Sequence, residues 1–370
     1  MQRYDAVLAS GTTAELDVRN ALLRLREAGL LVGAQYLAVT ADATLVDVQV
    51  GLADVATSRP MERTTWQMAY SITKAITAIA TLQLVDAGAL SLDRPLSHYY
   101  PDHPYGDTVR VRQLLAHTAG VPSPAPLSWF AVEGEPLDRQ GQLQGLLRAQ
   151  PRLSATPGSR YQYSNLGYWL LEEAIQVASG MDFAAYVQQK IFGPLGTAHQ
   201  IGFAPTKQEE MAVGHAARFR PMGLLLRAIT SSRYWAAPTG RWRRAARVVP
   251  FGRSYGGLFC PAAALASVLG DLLRPRPQLL TSAARDEMFE AQHIASGKQT
   301  QAALGWVCGA LNCARYFGKQ GGGLGFHGNV RVYPDLGIAT VLLANVTEVS
   351  ASVIARRSDQ VDGILIRTPS

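Results

Sequence analysis

Strand-forming sequence lies at both ends of this chain, and helix- and loop-forming sequence fills the stretch between them. Gln35 to Thr40 and Thr44 to Val50 are β-rich runs on either side of Ala41-Asp42-Ala43, which predicts a hairpin. Leu304 to Ala310, Ala314 to Phe317, Gly325 to Tyr333 and Ile338 to Asn345 are β-like and joined by short turns, as in an antiparallel meander. One sheet built from the first hairpin and the last meander, with helices on its faces and a helical insertion beside it, satisfies this order. The expected class is α+β, with a discontinuous sheet domain of residues 1–65 and 253–370 and a mostly helical domain of residues 66–252.

Helical periodicity fills in the rest. Leu16, Val18, Ala21, Leu22 and Leu25 mark a helix from Thr13 to Ala28, with Gly29 as its C-cap. A long apolar pattern opens at Ser71 and runs through Ala78, Ile79, Leu82, Leu84 and Val85 to Gly88. Further helices are expected over Val109 to His117, Gln142 to Gln150, Gly167 to Val177, Phe183 to Ile191, Pro261 to Leu273, Ser282 to Gln292 and Val349 to Leu365. Val121 to Leu137, rich in Pro and Ser, predicts loop.

With 370 residues, 48% of them hydrophobic and 17% charged, the chain has ample material for the core of a compact soluble enzyme. Met1-Gln2-Arg3-Tyr4-Asp5 leads into polar sequence, so no signal peptide is visible, and no apolar run is long enough for a transmembrane helix. Cys260, Cys308 and Cys313 are too few and too irregular for a disulfide framework or a zinc site, which favours a reducing compartment and free thiols. The expected location is cytoplasmic, or periplasmic or secreted if the sequence is a mature form. Cys308 and Cys313 flank a turn but are not expected to pair.

The net charge of +7 is concentrated in one segment, at about 214–253. Arg218, Arg220, Arg227, Arg233, Arg241, Arg243, Arg244, Arg247 and Arg253 occur there with no Asp or Glu, among Leu224, Leu225, Leu226, Trp235 and Trp242. Such a segment offers contact with an anionic substrate or a peripheral membrane contact over 218–253, but a solvated insertion is the preferred reading. No nucleic-acid-binding motif accompanies it.

Three constellations carry chemistry. Ser71 and Lys74 are three apart, so on a helix they share one face and a hydroxyl lies within reach of an amine. Serine becomes nucleophilic only when something takes its proton, and a lysine does so only if burial or a neighbouring cation lowers its pKa. Tyr163 and Asn165 stand two apart on a loop just before a helix. Lys319 ends a β-like run and is followed by Gln320, Gly321, Gly322 and Gly323, glycines that let backbone come close to a substrate. Each has an ordinary reading in isolation. An S-x-x-K is expected about once by chance in a chain of this size, Asn165 would serve as the N-cap of its helix, and Lys319 as a solvated charge. Their joint occurrence in this order reverses the balance.

With these residues the chain resembles the serine β-lactamase and penicillin-binding-protein superfamily, on the branch of class C β-lactamases, D-Ala-D-Ala carboxypeptidases and family VIII carboxylesterases. The motif set is Ser71-x-x-Lys74, Tyr163-Ser164-Asn165 and Lys319-Gln320-Gly321, and Leu114 to Gly120 and Tyr163 to Leu171 match as well. The resemblance spans about Gln35 to Asn345 and implies a β-lactamase-like fold with the active site between sheet and helical domain. It implies that Ser71 is acylated, Lys74 shares its proton and Tyr163 is the partner base, as phenolate or as relay. Asn165 would hold the substrate carbonyl and orient Lys74, and Lys319 would supply positive potential or bind a carboxylate. The backbone N–H groups of Ser71 and Gly322 would form the oxyanion hole. No cofactor is implied, and the partner is a small ester, amide or lactam.

Gln320 replaces the usual hydroxyl residue, and Gly322 and Gly323 leave the acyl pocket wide, so the departures lean toward a carboxylesterase. A β-lactamase or D-amino-acid peptidase, an acyltransferase with an alcohol or amine acceptor, and a catalytically silent binding protein are the alternatives. His117 reads as a structural hydrogen bonder and His327 as a minor contributor. Gly252-Arg253-Ser254-Tyr255-Gly256 matches G-x-S-x-G, with Asp271, Asp286, His293 and His327 following in α/β-hydrolase order. That alternative needs a strand, a sharp turn and a helix among parallel βα units, and Ser254 is expected to be structural instead.

Overall fold

The computed structural model describes residues 12–124, 129–205, 208–219, 223–224 and 230–367. Its centre is a seven-stranded antiparallel sheet in the order Val307–Leu311, Ala314–Gly322, His327–Tyr333, Ile338–Ala344, Gly33–Val39, Thr44–Asp54, Arg59–Pro60. The join between the two ends of the chain is the pairing of Gly33–Val39 with Ile338–Ala344, in which Leu37 stands opposite Val341. Ile338–Ala344 reads Ile-Ala-Thr-Val-Leu-Leu-Ala and is buried at every position. An uninterrupted apolar run suits a central strand covered on both faces, where an alternating one would leave polar groups inside.

The alternation of side chains divides the core in two. Leu37, Val39, Val330, Val332 and Val341 face the helices Ala262–Leu272 and Thr73–Asp86. Tyr36, Ala38, Val48, Leu342 and Ala344 face the first helix, Thr12–Glu27, and the last, Ala351–Leu365. Each fully buried aliphatic side chain contributes about 1.5–3 kcal/mol. The second face also holds a polar bolt: buried Arg331 pairs with Asp362 of the last helix at 3.0 Å, and Tyr36, Tyr333 and Thr340 donate hydrogen bonds to the same carboxylate. An α+β architecture of antiparallel sheet and flanking helices is therefore what this chain adopts.

The Thr73–Asp86 helix is buried almost all round, as its near-continuous apolar sequence requires. It stops at Ala87, followed by Gly88 in the left-handed region at φ +69°. Beside it pack Val111–Leu115, Arg139–Ala149, Asn165–Ser179 and Phe183–Val187, the last continuing into a π-turn over Gln188–Phe192.

The basic segment departs from expectation. Within the mostly helical region expected, His215–Ala217, Trp235–Thr239 and Trp242–Ala245 form a three-stranded sheet, of which Trp235–Thr239 stays largely exposed, as a solvated insertion would. A parallel bridge from His215 to Val346 ties it to the main body. Val248–Pro250 pairs with Phe130–Val132, a strand inside the predicted loop. The acids missing from the segment come from elsewhere, in the pairs Arg233–Glu135 (3.3 Å), Arg244–Asp54 (3.4 Å), Arg247–Glu133 (2.9 Å) and Arg253–Asp182 (2.6 Å). Long-range pairing of this kind leaves no periodic trace in local sequence. Arg220, Leu225, Leu226 and Arg227 lie outside the described residues, as does Met1 to Asp5. Among the described residues no helix is long and apolar enough to cross a membrane. Cys260, Cys308 and Cys313 are free thiols.

Candidate active site

Ser71 is not on the helix proper. It occupies a short 3-10 turn, Tyr70–Ile72, that runs into the Thr73–Asp86 helix carrying Lys74. Tyr70 has φ +45°, a strained value for a residue with a side chain, and the surroundings hold it there. Its hydroxyl donates to Leu324 O at 2.7 Å, and Thr73 Oγ1 donates to its carbonyl at 2.6 Å. The sharp turn presents Ser71, while Lys74 stays buried one turn further on.

Three atoms surround the Lys74 amine: Ser71 Oγ at 3.1 Å, Asn165 Oδ1 at 2.8 Å and Tyr255 O at 2.7 Å. The amide and the carbonyl oxygens can only accept, so they take two of its protons. Burial, and next the nearby Lys319, hold its pKa well below the usual lysine value. In its neutral form the amine has two protons and one lone pair, and with both protons given to those oxygens the lone pair faces Ser71. That geometry suits an acceptor for the serine proton.

Tyr163 donates a hydrogen bond to Ser71 Oγ at 2.8 Å. Its loop is fastened by His117, whose Nδ1 accepts from Ser164 N at 3.1 Å and whose carbonyl accepts from Gln162 N at 2.6 Å. The His117 ring lies 4.4 Å from that of Tyr163, and burial, then Lys319 and Lys74 nearby, hold the imidazole pKa well below its ordinary value. His117 thus supports the site from behind. Ser164, not Asn165, caps the Asn165–Ser179 helix by accepting from Gly167 N at 2.9 Å. That leaves the Asn165 side chain free for Lys74. Tyr163 is 36% exposed, and with its hydroxyl against Ser71 burial raises its pKa. In this geometry the hydroxyl is the donor to Ser71 Oγ.

Lys319 Nζ lies 5.6 Å from the Tyr163 ring centroid and 5.7 Å from that of Tyr168, and burial lowers its pKa to about 7. Lys74 Nζ sits over the same two rings at 4.9 and 5.4 Å. Close approach of this strand depends on Gly321: a Cβ there would lie 2.0 Å from Ala69 O and 3.1 Å from Ser71 N. Gly323 N–H donates to Phe326 O, so in an antiparallel ladder the Gly322 N–H points off the other edge. The neighbouring strand, Val307–Leu311, has already ended at Gly318, and that edge is open. Alternation places Gln320 with Gly322 on the opposite face from Lys319, since a Cβ on Gly322 would meet Glu348 O and Ile354. The Gln320 side chain therefore does not converge with Ser71, Lys74, Tyr163, Asn165 and Lys319.

The competing residues are otherwise engaged. Ser254 is fully buried, with Oγ donating to Tyr168 O at 2.8 Å. Asp271 accepts from Gln278 N and Leu279 N, Asp286 pairs with Arg285, and the backbone of His293 bridges to that of Gln299. His327 Nδ1 contacts Val346 O at 2.8 Å and its Nε2 contacts Arg357 at 3.0 Å, both away from Ser71. Two participants have no signal in the motifs: the Tyr255 carbonyl, which any residue can supply, and Ser123, whose Oγ accepts from Asn165 N at 3.1 Å.

A family model described as Beta-lactamase matches residues 18–362. Esterase EstB of Burkholderia gladioli is 33% identical over 226 residues, 55% of this chain and 55% of that protein. The chain thus spans about half the length of this curated relative, and less of the next ones it matches. Among solved structures, D-amino acid amidase from Ochrobactrum anthropi SV3 superposes with a TM-score of 0.80 at 19% identity, covering 96% of this chain and 100% of that one. EstCE1, described as a hydrolase with promiscuous acyltransferase activity, gives a TM-score of 0.74 at 20% identity over 96% and 98% of the two chains. At such identities these structures speak for the fold.

Proposed function

This chain belongs to the Beta-lactamase family, and from that premise we propose that it is a serine acyl hydrolase that works through an acyl-enzyme on Ser71. The observation that carries the reading is the bonding of Ser71 Oγ to buried Lys74, whose pKa burial lowers, on one side and to the Tyr163 hydroxyl on the other. Lys74 accepts the Ser71 proton as Oγ bonds to the substrate's carbonyl carbon, and the carbonyl π pair moves to its oxygen. The N–H groups of Ser71 and Gly322 receive that oxyanion, worth about 3–4 kcal/mol per donor in the transition state. On collapse the bond to the leaving group breaks. Tyr163, at the solvent side of Ser71, passes a proton to the departing alkoxide and is resupplied from Lys74. Water then enters the same position and gives a proton to the same pair as its oxygen bonds to the acyl carbon; the bond from that carbon to Ser71 Oγ breaks, the pair returns the proton to Oγ, and the acid leaves.

A carboxylesterase is the favoured activity. The motif position that carries a hydroxyl residue in the family it resembles holds Gln320 here. The relative EstB is named an esterase. Two assays test the proposal. Intact mass after fluorophosphonate treatment should give one adduct in wild type and in Ser254→Ala, and none in Ser71→Ala. An adduct lost in Ser254→Ala instead would overturn the site assignment. Rates on p-nitrophenyl esters, nitrocefin and D-Ala-D-Ala peptides should then rank the esters first, and turnover of nitrocefin alone would replace esterase with β-lactamase.

A further inference from the structure

The pentapeptide Gly252-Arg253-Ser254-Tyr255-Gly256 supplies no nucleophile, yet both helices that carry the chemistry are fastened to it. From the Thr73–Asp86 helix, Lys74 Nζ donates to Tyr255 O at 2.7 Å and Thr77 Oγ1 donates to Ser254 O at 2.7 Å. From the Asn165–Ser179 helix, Tyr168 O accepts from Ser254 Oγ at 2.8 Å, and Glu172 Oε2 accepts from Ser254 N at 2.9 Å. Tyr168 and Glu172 are four apart, so they face the turn together. Leu258 N donates to Thr73 Oγ1 at 3.2 Å just beyond it.

Glu172 is the odd member of this set. It is a carboxylate with 3% of its surface exposed, on a helix whose neighbouring buried positions are Leu170, Leu171, Ala174 and Ile175. A buried carboxylate costs several kcal/mol against an apolar residue of similar size unless its bonds repay it. Here burial raises its pKa, and the Ser254 bonds with Arg139 and Arg253 pull it back. Helix packing alone gives no reason for it, whereas the orientation of the Ser254 backbone does.

We propose that Glu172 is a positioning residue for the Lys74 amine. By holding the Ser254 N–H it fixes the Ser254–Tyr255 backbone so that Tyr255 O takes one Lys74 proton and the lone pair stays on Ser71. A carbonyl free to swing away would let the amine rotate and lose its line to the serine proton, which lowers the rate of the chemical step without touching substrate binding. The inference rests on the reading of Ser71 and Lys74 given above.

The test uses Glu172→Leu, Glu172→Gln and Thr77→Val in the full chain, each checked for folding by circular dichroism, with fluorophosphonate labelling rates and with kcat and KM on a p-nitrophenyl ester. Glu172→Leu should lower kcat and the labelling rate by about tenfold or more while KM stays within about twofold. Glu172→Gln keeps an acceptor for Ser254 N and should return to within about threefold of wild type. Thr77→Val removes the other tie on the same backbone with a side chain of equal shape and should lower kcat with KM unchanged, which serves if Glu172→Leu does not fold. Wild-type kcat in folded Glu172→Leu or Thr77→Val, a loss confined to KM, or equal loss in Glu172→Gln and Glu172→Leu overturns the proposal alone. A wild-type protein that takes no label overturns its premise with it.

Discussion

Lys319 carries a function and a stability cost at once. Burial lowers its pKa from 10.5 to about 7, so between those values the unfolded chain holds a proton that the folded chain has released. Stability therefore rises with pH across that window, and the cost of the lysine is greatest at its acidic end. Lys319→Met should raise unfolding free energy by about 2–4 kcal/mol at pH 7 and by roughly half as much at pH 9, read from urea curves at both values. The same titration bears on substrates. An ester with a carboxylate should show KM rising above pH 7 as Lys319 loses its charge, and a neutral ester should not. Equal KM profiles for the two would remove Lys319 from substrate binding. Ser71, Lys74, Tyr163, Asn165 and Lys319 were all legible in the sequence because each chemistry needs one side chain. Gln320 was misplaced, because a three-residue motif does not say which face of a strand its middle residue takes.

At the scale of elements, the approach of the Ala314–Gly322 strand to the 3-10 turn builds the oxyanion site. Gly321→Ala puts a methyl where Ala69 O already lies, so the strand must back away from Ser71. Its kcat/KM should fall by about 100-fold or more with the fold kept, as expected when oxyanion donors move off their target. Ordinary activity in a folded Gly321→Ala would show that this edge does not stabilise the oxyanion. The last helix is held by charge as well as by apolar contact. Arg331→Met leaves buried Asp362 without its cation and should cost about 3–5 kcal/mol in urea unfolding, with part recovered by adding Asp362→Leu. The helices and the meander were visible as periodicity to within a few residues. The separation of Ser71 from the helix of Lys74 was not, since Tyr70 reaches φ +45° only through contacts with Leu324 and Thr73, one of them distant in the chain.

For the whole molecule, the pairing of Gly33–Val39 with Ile338–Ala344 makes the first and last parts of the chain one sheet. A fragment ending at residue 252 lacks four of the seven strands and should neither fold nor take a fluorophosphonate label, and mixing it with the fragment 253–370 should restore labelling if the cut alone is at fault. A labelled, folded 1–252 fragment would contradict this. The basic segment shows the opposite side of long-range order. In sequence its arginines stand without local acids, and Glu135, Asp54, Glu133 and Asp182 reach Arg233, Arg244, Arg247 and Arg253 from remote positions. By itself the sequence determined the type of fold, the family resemblance and the side chains fit for acyl transfer, because hydrophobic period and functional groups are written residue by residue. Only the tertiary structure decided that the pKa of Lys74 is lowered and that its amine is aimed at Ser71, because burial, a backbone carbonyl from Tyr255 and the closeness of Gly321 exist only once segments far apart in the chain are packed together.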